Sequence, residues 1–530
     1  MLWLLALIIF ATFAYWKLKS SPKTEKILKQ IVHGSCIGSI WKTVTGKKSF
    51  ADMIQDAYYM EPNTRYSTFY QFFNPVLLVK DPDLIKQMLV KDSDHFMNHQ
   101  HFIPPEGDPI FYKNLFSMEN QEWRDMRSRL TPVFTSSKMK YMFSLITQNC
   151  DKFVKHFLRK EETVVTVEMR EIMARFSNDV ISNIVFGVEV DAVNNPNDEV
   201  YLNGKNLTNL TGLTRVLKFL GSFLVPKLYK ILKISPFPEA SIKFFSSLVQ
   251  TNIDVRQKNN IVRPDMINIL LDARKNAFQP EEAAPDTGFA VMRDSENFKL
   301  SKTKIDITDL EIAAQVITFF FAGFETVSGM LSFIAYELGA NPEVQQRLIG
   351  EVDHTLEACG GQITYEAILS MKYMDMVVTE ALRKWPVIIL TDRMCTKPYT
   401  IEAKYPDEKS RHVKEGSSVW LPVFAIHRDP ENYPEPDKFD PERFSDENKR
   451  TVKPYTYFPF GVGPRGCLAS RLGLLEAKTL FFYILTNFEI VPVEKTQIPL
   501  KISKKRITMN AEGGFWFGLK RRTELSTPSA

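Results

Sequence analysis

The sequence predicts a mainly α fold with a small β part, built as one large domain. Three observations carry this. From Trp123 onward apolar residues recur at helical spacing. A largely apolar run from Thr308 to Gly339 reads as a buried helix, about 45 Å long at 1.5 Å per residue. Strand-like patterns are confined to residues 61–91 and to short stretches of the Pro-rich last third. No Gly/Ser linker, internal repeat or long charge block divides the 530 residues, although length alone would suggest several domains. With 44% hydrophobic residues and 39 phenylalanines, the chain can fill a large core or line a roomy apolar cavity.

The first element is MLWLLALIIFATFAYW, uncharged from Met1 to Trp16 and followed by Lys17, Lys19, Lys23 and Lys26. A secretory signal would carry its charges before the apolar run. The run spans about 24 Å, slightly short of a bilayer core, and Leu18, the flanking tryptophans and snorkelling lysines can make up the difference. Residues 1–18 are therefore expected to be a single N-terminal transmembrane anchor, with the rest cytosolic by the positive-inside rule. A signal sequence is the alternative. Residues 19–59 are expected as hinge and linker, and 60–530 as the folded body.

Within the body, TRYSTFYQFF and PVLLVKD read as strands and PDLIKQMLV as a helix. Residues 216–238 mix apolar residues with spaced lysines, which suits either an amphipathic segment on a membrane or a core-facing helix pair. Residues 273–304, with Pro280, Pro285 and Gly288, look like an exposed loop. Thr308 and Glu311 can form the capping box of the long helix, and Asn341-Pro342 stops it. A further helix is expected over 468–487, with Glu489 near a following strand.

The net charge of +5 is too mild, and its basic residues too scattered, to indicate nucleic acid. Five cysteines without a C-x-x-C pair argue for a reducing compartment, against a disulfide framework or a zinc module. His95, His99 and His101 stand at metal-like spacing, but no carboxylate pattern supports them.

The most informative stretch is FPFGVGPRGCLASRL, residues 458–472. Gly461, Gly463 and Gly466 spell G-x-G-x-x-G, yet Pro454 and Pro459 spoil the strand that a dinucleotide fingerprint follows. Too little chain remains after Gly466 for the rest of a doubly wound sheet. The glycines instead let the backbone turn sharply and approach a flat partner, while Pro464 stiffens the turn. Cys467 is expected at a helix start, where N–H groups and Arg465 favour a thiolate.

F-x-x-G-x-R-x-C, met by Phe460, Gly463, Arg465 and Cys467, resembles the haem-binding loop of the cytochrome P-450 (haem-thiolate monooxygenase) family. The family usually has glycine where this chain has Ala469. The resemblance covers roughly residues 60–520 and extends to other motifs in family order. Glu380 and Arg383 in TEALRKWP match E-x-x-R, and Arg443 in FDPERF resembles the third member of that structural network. Ala322-Gly323-Phe324-Glu325-Thr326 resembles the oxygen-activation motif, with Val327 where a second hydroxyl is frequent and Ser328 beside it. Trp123 and Arg127 match W-x-x-x-R; with Arg393 and Arg465 they would hold the haem propionates. Phe460, Gly461 and Ala322 complete the expected cofactor contacts. The family's Pro-rich hinge is nearly absent, with only Pro22.

The resemblance implies a single haem-thiolate fold behind a membrane anchor in the endoplasmic reticulum, its catalytic part facing the cytosol. Cys467 would ligate the iron of haem b (iron protoporphyrin IX), dioxygen would be the co-substrate, and Thr326 and Glu325 would organise proton delivery. Electrons would come from NADPH through a separate NADPH-cytochrome P-450 reductase, with cytochrome b5 as a second donor; no tightly bound NADP or flavin is expected. A basic face around Arg124, Arg129, Lys453 and Arg471 would dock the donor. The substrates implied are lipophilic small molecules, such as the plant toxins and insecticides oxidised by the insect microsomal branch. Their pocket would be lined by Phe102, Phe111, Phe319, Phe320, Val387, Leu390, Phe515 and Trp516. Two other readings are open here: a haem-thiolate isomerase or dehydratase acting on peroxides, and a haem-free membrane-anchored binding protein.

Overall fold

A computed structural model describes residues 43, 46–71, 74–100, 108–209, 213–224, 226–232, 234–275, 285–291, 307–504 and 508–522. The expected anchor, most of the linker, His101 and Phe102 lie outside these residues. Helix α1 (Phe50–Tyr59) starts at a capping box: the Ser49 hydroxyl accepts from Asp52 N–H (3.1 Å) and the Asp52 carboxylate from Ser49 N–H (3.0 Å). Its face of Met53, Ile54 and Ala57 is buried, and the Tyr58 hydroxyl donates to Asp429 (2.5 Å). The end of the expected linker therefore packs into the body, which begins before residue 60.

Strands β1 (Tyr66–Gln71) and β2 (Asn74–Val79) pair antiparallel, Tyr66 opposite Val79, as their alternation predicts. Helices α2 (Asn120–Leu130) and α3 (Ser136–Leu158), strand β3 (Val164–Glu168), and helices α4 (Met169–Val185) and α5 (Glu239–Asn259) follow. Between α4 and α5 lie three helices, Glu199–Thr208, Leu213–Leu224 and Pro226–Leu232; on the last two, Leu217, Leu228, Ile231 and Leu232 are exposed and Tyr229 is buried.

Helix α6 (Asp309–Ala340) crosses the body. Its expected capping box is present, Glu311 N–H donating to the Thr308 hydroxyl (3.2 Å) and Thr308 N–H to the Glu311 carboxylate (3.0 Å). The next helix starts at Pro342. The sequence does not announce that residues Gly323–Val327 are wound as a π-turn. Ahead of that turn, Ile312 to Phe320 pack, together with Phe324 in the turn itself, into one apolar core with α2 and α5. Beyond it, Met330 to Leu338 pack into a second core with α3 and the later helices. Phe319 and Leu468 touch both cores, so the π-turn sits on the seam between them.

Helix α7 (Lys372–Lys384) precedes strands β4 (Thr391–Met394), β5 (Tyr399–Ile401), β6 (Arg411–Val413) and β7 (Ser418–Leu421). Helix α8 (Ser470–Asn487), β8 (Phe488–Val491) and β9 (Trp516–Arg521) close the described chain. The sheets run β1-β2-β7-β4, with β2 parallel to β7, then β3-β9-β8 and β5-β6. A third apolar core covers the first sheet.

Residues 285–291 depart from the expected exposed loop. Lys478 on α8, fully buried, donates to the Thr287 carbonyl (2.6 Å) and pairs with Asp375 on α7 (2.8 Å), while Phe289 N–H donates to Asp375 (3.0 Å). The Phe289 ring packs on Phe444 and Tyr457. Two prolines and polar composition suggest a loop but cannot reveal that a buried lysine from α8 fastens it.

A buried polar knot ties α7 to the cysteine loop. Arg383 grips Glu380 through Nε (2.7 Å) and Nη2 (2.9 Å) and donates to the carbonyls of His427 (2.9 Å) and Pro436 (2.8 Å). Glu380 also accepts from Asp440 N–H (3.0 Å), and the Arg443 Nε stands 3.5 Å from it. The His427 ring, which burial beside Arg383 keeps neutral with a pKa of about 3, accepts the Phe458 N–H (3.0 Å). Tyr457 donates to the Thr379 carbonyl (3.0 Å).

Two expectations follow. Glu380→Gln leaves the Arg383 guanidinium buried without a full counter-charge and should destabilise the fold by about 3–5 kcal/mol, read as a large fall in soluble, folded yield and in Tm. Glu476, deep in α8, is pushed up to about 8 by burial, with Ser177 only partly offsetting this. A carboxyl raised above its unfolded value of about 4.3 makes stability fall as pH rises between about 4.3 and 8. Glu476→Gln should therefore gain stability over the parent as pH rises, on the order of 5 kcal/mol by pH 8, and melting curves from pH 5 to 9 check this.

Candidate active site

The loop after Phe458 is shaped by its own backbone. Gly461 N–H donates to the Phe458 carbonyl (3.0 Å), Gly466 N–H to Gly463 (2.9 Å) and Cys467 N–H to Phe460 (2.8 Å). Gly461 and Gly463 have φ of +81° and +70°, the left-handed region that a side chain resists. A Cβ on Gly463 would lie 2.0 Å from the Leu89 carbonyl oxygen, so only glycine fits there. Ala469 has φ −98° and ψ 19°, which any L-residue can adopt, so alanine needs no backbone change in place of glycine.

Cys467 lies three residues before α8. Its surroundings are deeply buried, and burial raises its pKa, opposed by the Ala469 N–H and by Arg127. The side chain is nevertheless exposed. It therefore faces open space inside the protein rather than packed atoms. Ala322 is likewise exposed in the middle of α6, whose most apolar stretch is otherwise mostly buried. The helix-start effect expected to yield a thiolate is present but outweighed by burial, so the sulfur favours its neutral form.

Three buried arginines gather beside the loop. Arg127, on α2, has no hydrogen bond or ion pair to its guanidinium among the described residues, and burial lowers its pKa to about 10. Arg393, on β4, is lowered likewise to about 10 and donates to the carbonyls of Asp392 (2.6 Å) and Val462 (3.1 Å). Arg465 lies over the Trp123 ring (4.2 Å) and spends its guanidinium on the carbonyls of Met97 (2.6 Å), Leu115 (3.1 Å) and Met118 (2.5 Å). Burial, then repulsion from Arg393 and Arg127, holds the Arg465 pKa well down. Asp392 is the nearby carboxylate: burial raises its pKa, but His99 (3.1 Å), the Gln100 N–H (2.6 Å) and Arg393 hold it below the usual range. His99 is kept neutral by burial, with a pKa of about 4. It serves Asp392 and stacks on Phe116 (4.3 Å).

A sulfur facing internal space, glycine backbone beside it and a surplus of buried guanidinium charge fit a flat, iron-bearing dianion such as haem. Among the expected propionate holders, Arg127 and Arg393 have capacity left. Arg465 is committed to the backbone of residues 97–118, and Trp123 to the face of Arg465.

On α6, the Thr326 hydroxyl donates to the Ala322 carbonyl (2.6 Å), one turn earlier. Glu325 is not free: its carboxylate pairs with Arg170 on α4 (2.6 Å). Ser328 is buried, its hydroxyl donating to the Phe324 carbonyl (2.5 Å), so it turns away from exposed surface. Against Gly323 lies Ile181, whose Cδ1 is 2.6 Å from where a Cβ would stand.

The expected apolar lining divides. Phe319, Val387 and Leu390 are partly exposed, Val387 lying against Gly329 of α6. Phe111 is stacked on Phe237 (3.7 Å) and buried. Phe320, fully buried between Phe186 and Phe245, has no surface for a ligand. Phe515 packs edge-on against Phe333 (5.0 Å) and is core as well. Trp516 donates to the Gly513 carbonyl (2.9 Å) at the surface, beneath Lys495. Phe320, Phe515 and Trp516 are aromatic and near the right motifs, but neighbouring helices and strands turn them away from open space. The basic face is partly engaged, Arg471 pairing with Asp286 (3.2 Å), Arg124 with Asp94, and Lys453 donating to the Glu431 carbonyl (3.0 Å).

His427 and Arg170 escaped the sequence reading. Their partners lie 31 and 155 residues away, at Phe458 and Glu325, and no local spacing marks them.

The family described as Cytochrome P450 matches residues 43–516. Cytochrome P450 9e2 of Blattella germanica is 42% identical over 503 residues, covering 92% of this chain and 91% of that protein. Probable cytochrome P450 9f2 of Drosophila melanogaster is 40% identical over 489 residues, 90% of each chain. Cytochrome P450 3A18 of Rattus norvegicus is 36% identical over 448 residues, 83% of this chain and 82% of that protein. The family match and these relatives show that this chain belongs to the cytochrome P450 family and is a haem monooxygenase.

Proposed function

We propose that this enzyme inserts one atom of dioxygen into lipophilic small molecules, plant toxins and insecticides among them, using NADPH electrons passed on by a separate reductase. The observation that carries the reading is Cys467, open to internal space within a buried loop held by Arg383, His427 and Phe458. Cys467 would ligate the iron of haem b, and Arg127 and Arg393 would hold the propionates. Bound haem supplies the activation of dioxygen and the oxygen transfer. The protein supplies position, dryness and protons. Phe319, Ala322, Val387 and Leu390 offer an apolar wall that excludes water and orients the substrate by shape. Thr326, its hydroxyl fixed on the Ala322 carbonyl, keeps its lone pairs available to a proton donor, and Glu325 beside it connects that hydroxyl to solvent.

Residues 1–18 anchor the enzyme in the endoplasmic reticulum, with the body in the cytosol. NADPH-cytochrome P450 reductase, with cytochrome b5 as a second donor, docks on the basic face around Arg124, Arg129, Lys453 and Arg471. The ion pairs to Arg124 and Arg471 weaken that field, so docking should tighten at low ionic strength.

The deciding experiment is the spectrum of the reduced carbonyl complex of the full-length protein. Thiolate ligation gives a strongly red-shifted Soret band, and Cys467→Ser should lose it; a retained band would remove Cys467 from the ligand position. Turnover that proceeds without NADPH would turn the reading toward peroxide isomerisation. In Thr326→Ala, product formed per NADPH should fall on the order of tenfold, with the difference released as peroxide, while the carbonyl band is unchanged.

A further inference from the structure

Arg170 on α4 has a part in the π-turn that none of the roles above gives it. Its Nη2 lies 2.6 Å from Glu325 Oε1 and donates to the Glu325 main-chain oxygen (3.2 Å). The partner side chains are mostly buried, 13% and 16% exposed. Nη1 is buried with no hydrogen-bond partner, 3.0 Å from where a Cβ on Gly329 would stand. Arg170 and Ile181 thus brace α6 on either side of the π-turn, Ile181 against Gly323 and Arg170 against Glu325 and Gly329.

The main-chain contact has a physical cause. A π-turn shifts the regular helical donors out of register, so its carbonyls must find others. The Glu325 carbonyl takes three: the Ser328 N–H, the Ser328 hydroxyl (3.2 Å) and Arg170. On the side chain, Oε1 is shared between Arg170 and the Thr508 hydroxyl (3.5 Å), and Oε2 has no hydrogen bond among the described residues. One guanidinium therefore fixes both the backbone and one carboxylate oxygen of the residue next to Thr326. Both contacts come from one nitrogen, Nη2, whose direction is set by the rigid guanidinium plane; a lysine ammonium carries the charge on a flexible stem without that fixed direction.

We propose that Arg170 is the positioning residue for Glu325, pinning Oε1 and the π-turn carbonyl so that Oε2 alone takes a proton from solvent hydronium, leaving water, passes it to the Thr326 hydroxyl, which releases its own proton into the site, and returns to the carboxylate. The inference rests on the monooxygenase reading above.

The test is a double-mutant cycle in the full-length, haem-loaded protein: parent, Arg170→Gln, Glu325→Gln and the double variant. All four should keep the red-shifted carbonyl band and bind an apolar substrate within about twofold of one another. Arg170→Gln should lower product per NADPH about fivefold, raise peroxide release and flatten the pH profile of that ratio, with no further loss in the Glu325→Gln background. Amide hydrogen exchange at residues 323–328 should rise about tenfold in Arg170→Gln. Arg170→Lys, which also covers a Gln variant that fails to fold, should keep part of the pH dependence but not the parental ratio. Unchanged product per NADPH in Arg170→Gln, an equal loss in both backgrounds, or parental behaviour of Arg170→Lys would each overturn the assignment. A parent lacking the carbonyl band would overturn the monooxygenase reading itself; a normal band with an additive cycle would overturn only the role of Arg170.

Discussion

A carboxylate with no solvent exposure sits at the centre of everything that holds the cysteine loop. Glu380 is ringed by the Arg383 fork, the Asp440 N–H and the Arg443 guanidinium, so its charge is met on several sides. Such a group is stable only when its bonds are complete, because a buried ion without partners is far worse than an apolar side chain. That demand gives the knot its rigidity. Arg383 has donors left over once Glu380 is bound, and these reach His427 and Pro436. His427 passes the constraint to Phe458, two residues before the turn that ends at Cys467. The E-x-x-R helix and the cysteine loop are thereby fastened through a backbone carbonyl and a neutral imidazole.

The second constraint is mechanical. A helix of 32 residues spans two apolar cores, and the register of side chains demanded by one need not suit the other. The π-turn at Gly323–Val327 lies where they meet, and an inserted residue shifts the helical phase there. It also frees carbonyls, which Thr326, Ser328 and Arg170 then occupy. A packing mismatch along the longest helix thus places hydroxyl and carboxylate chemistry at the seam.

Local features were legible in the sequence because their partners are near in the chain. The Thr308–Glu311 box, the β1–β2 hairpin and the Glu380–Arg383 pair span three residues or a short turn, and their spacing alone predicts them. The cysteine loop was legible for a different reason: Gly461 and Gly463 hold left-handed backbone, and at Gly463 a side chain has no room. What spacing could not show is which way an aromatic turns. Phe319 and Phe320 are adjacent, yet one is partly open and the other sealed behind Phe186 and Phe245. Phe515 and Trp516 alternate across a strand, one into the core and one toward solvent, an ambiguity of register that composition does not resolve. The Lys478 tether of residues 285–291 was hidden for the reason His427 and Arg170 were: its acceptor lies 191 residues away.

The electrostatics of the seam give the assembly its direction. Burial disfavours the Cys467 thiolate, and burial with mutual repulsion disfavours the charge on the arginines beside it. Each of these penalties is removed by one partner that is cationic at its centre and anionic at its edge. On the proposed reading, iron held by Cys467 would favour the thiolate, and the propionates would give Arg127 and Arg393 the counter-charge that Asp392, committed to His99 and Gln100, does not. The charges at this site are therefore complementary to those of a haem, and a bound haem would relieve both penalties. By linkage, that relief appears as stability of the loaded fold. The same preorganisation lets the site act without rearranging its charges when substrate enters.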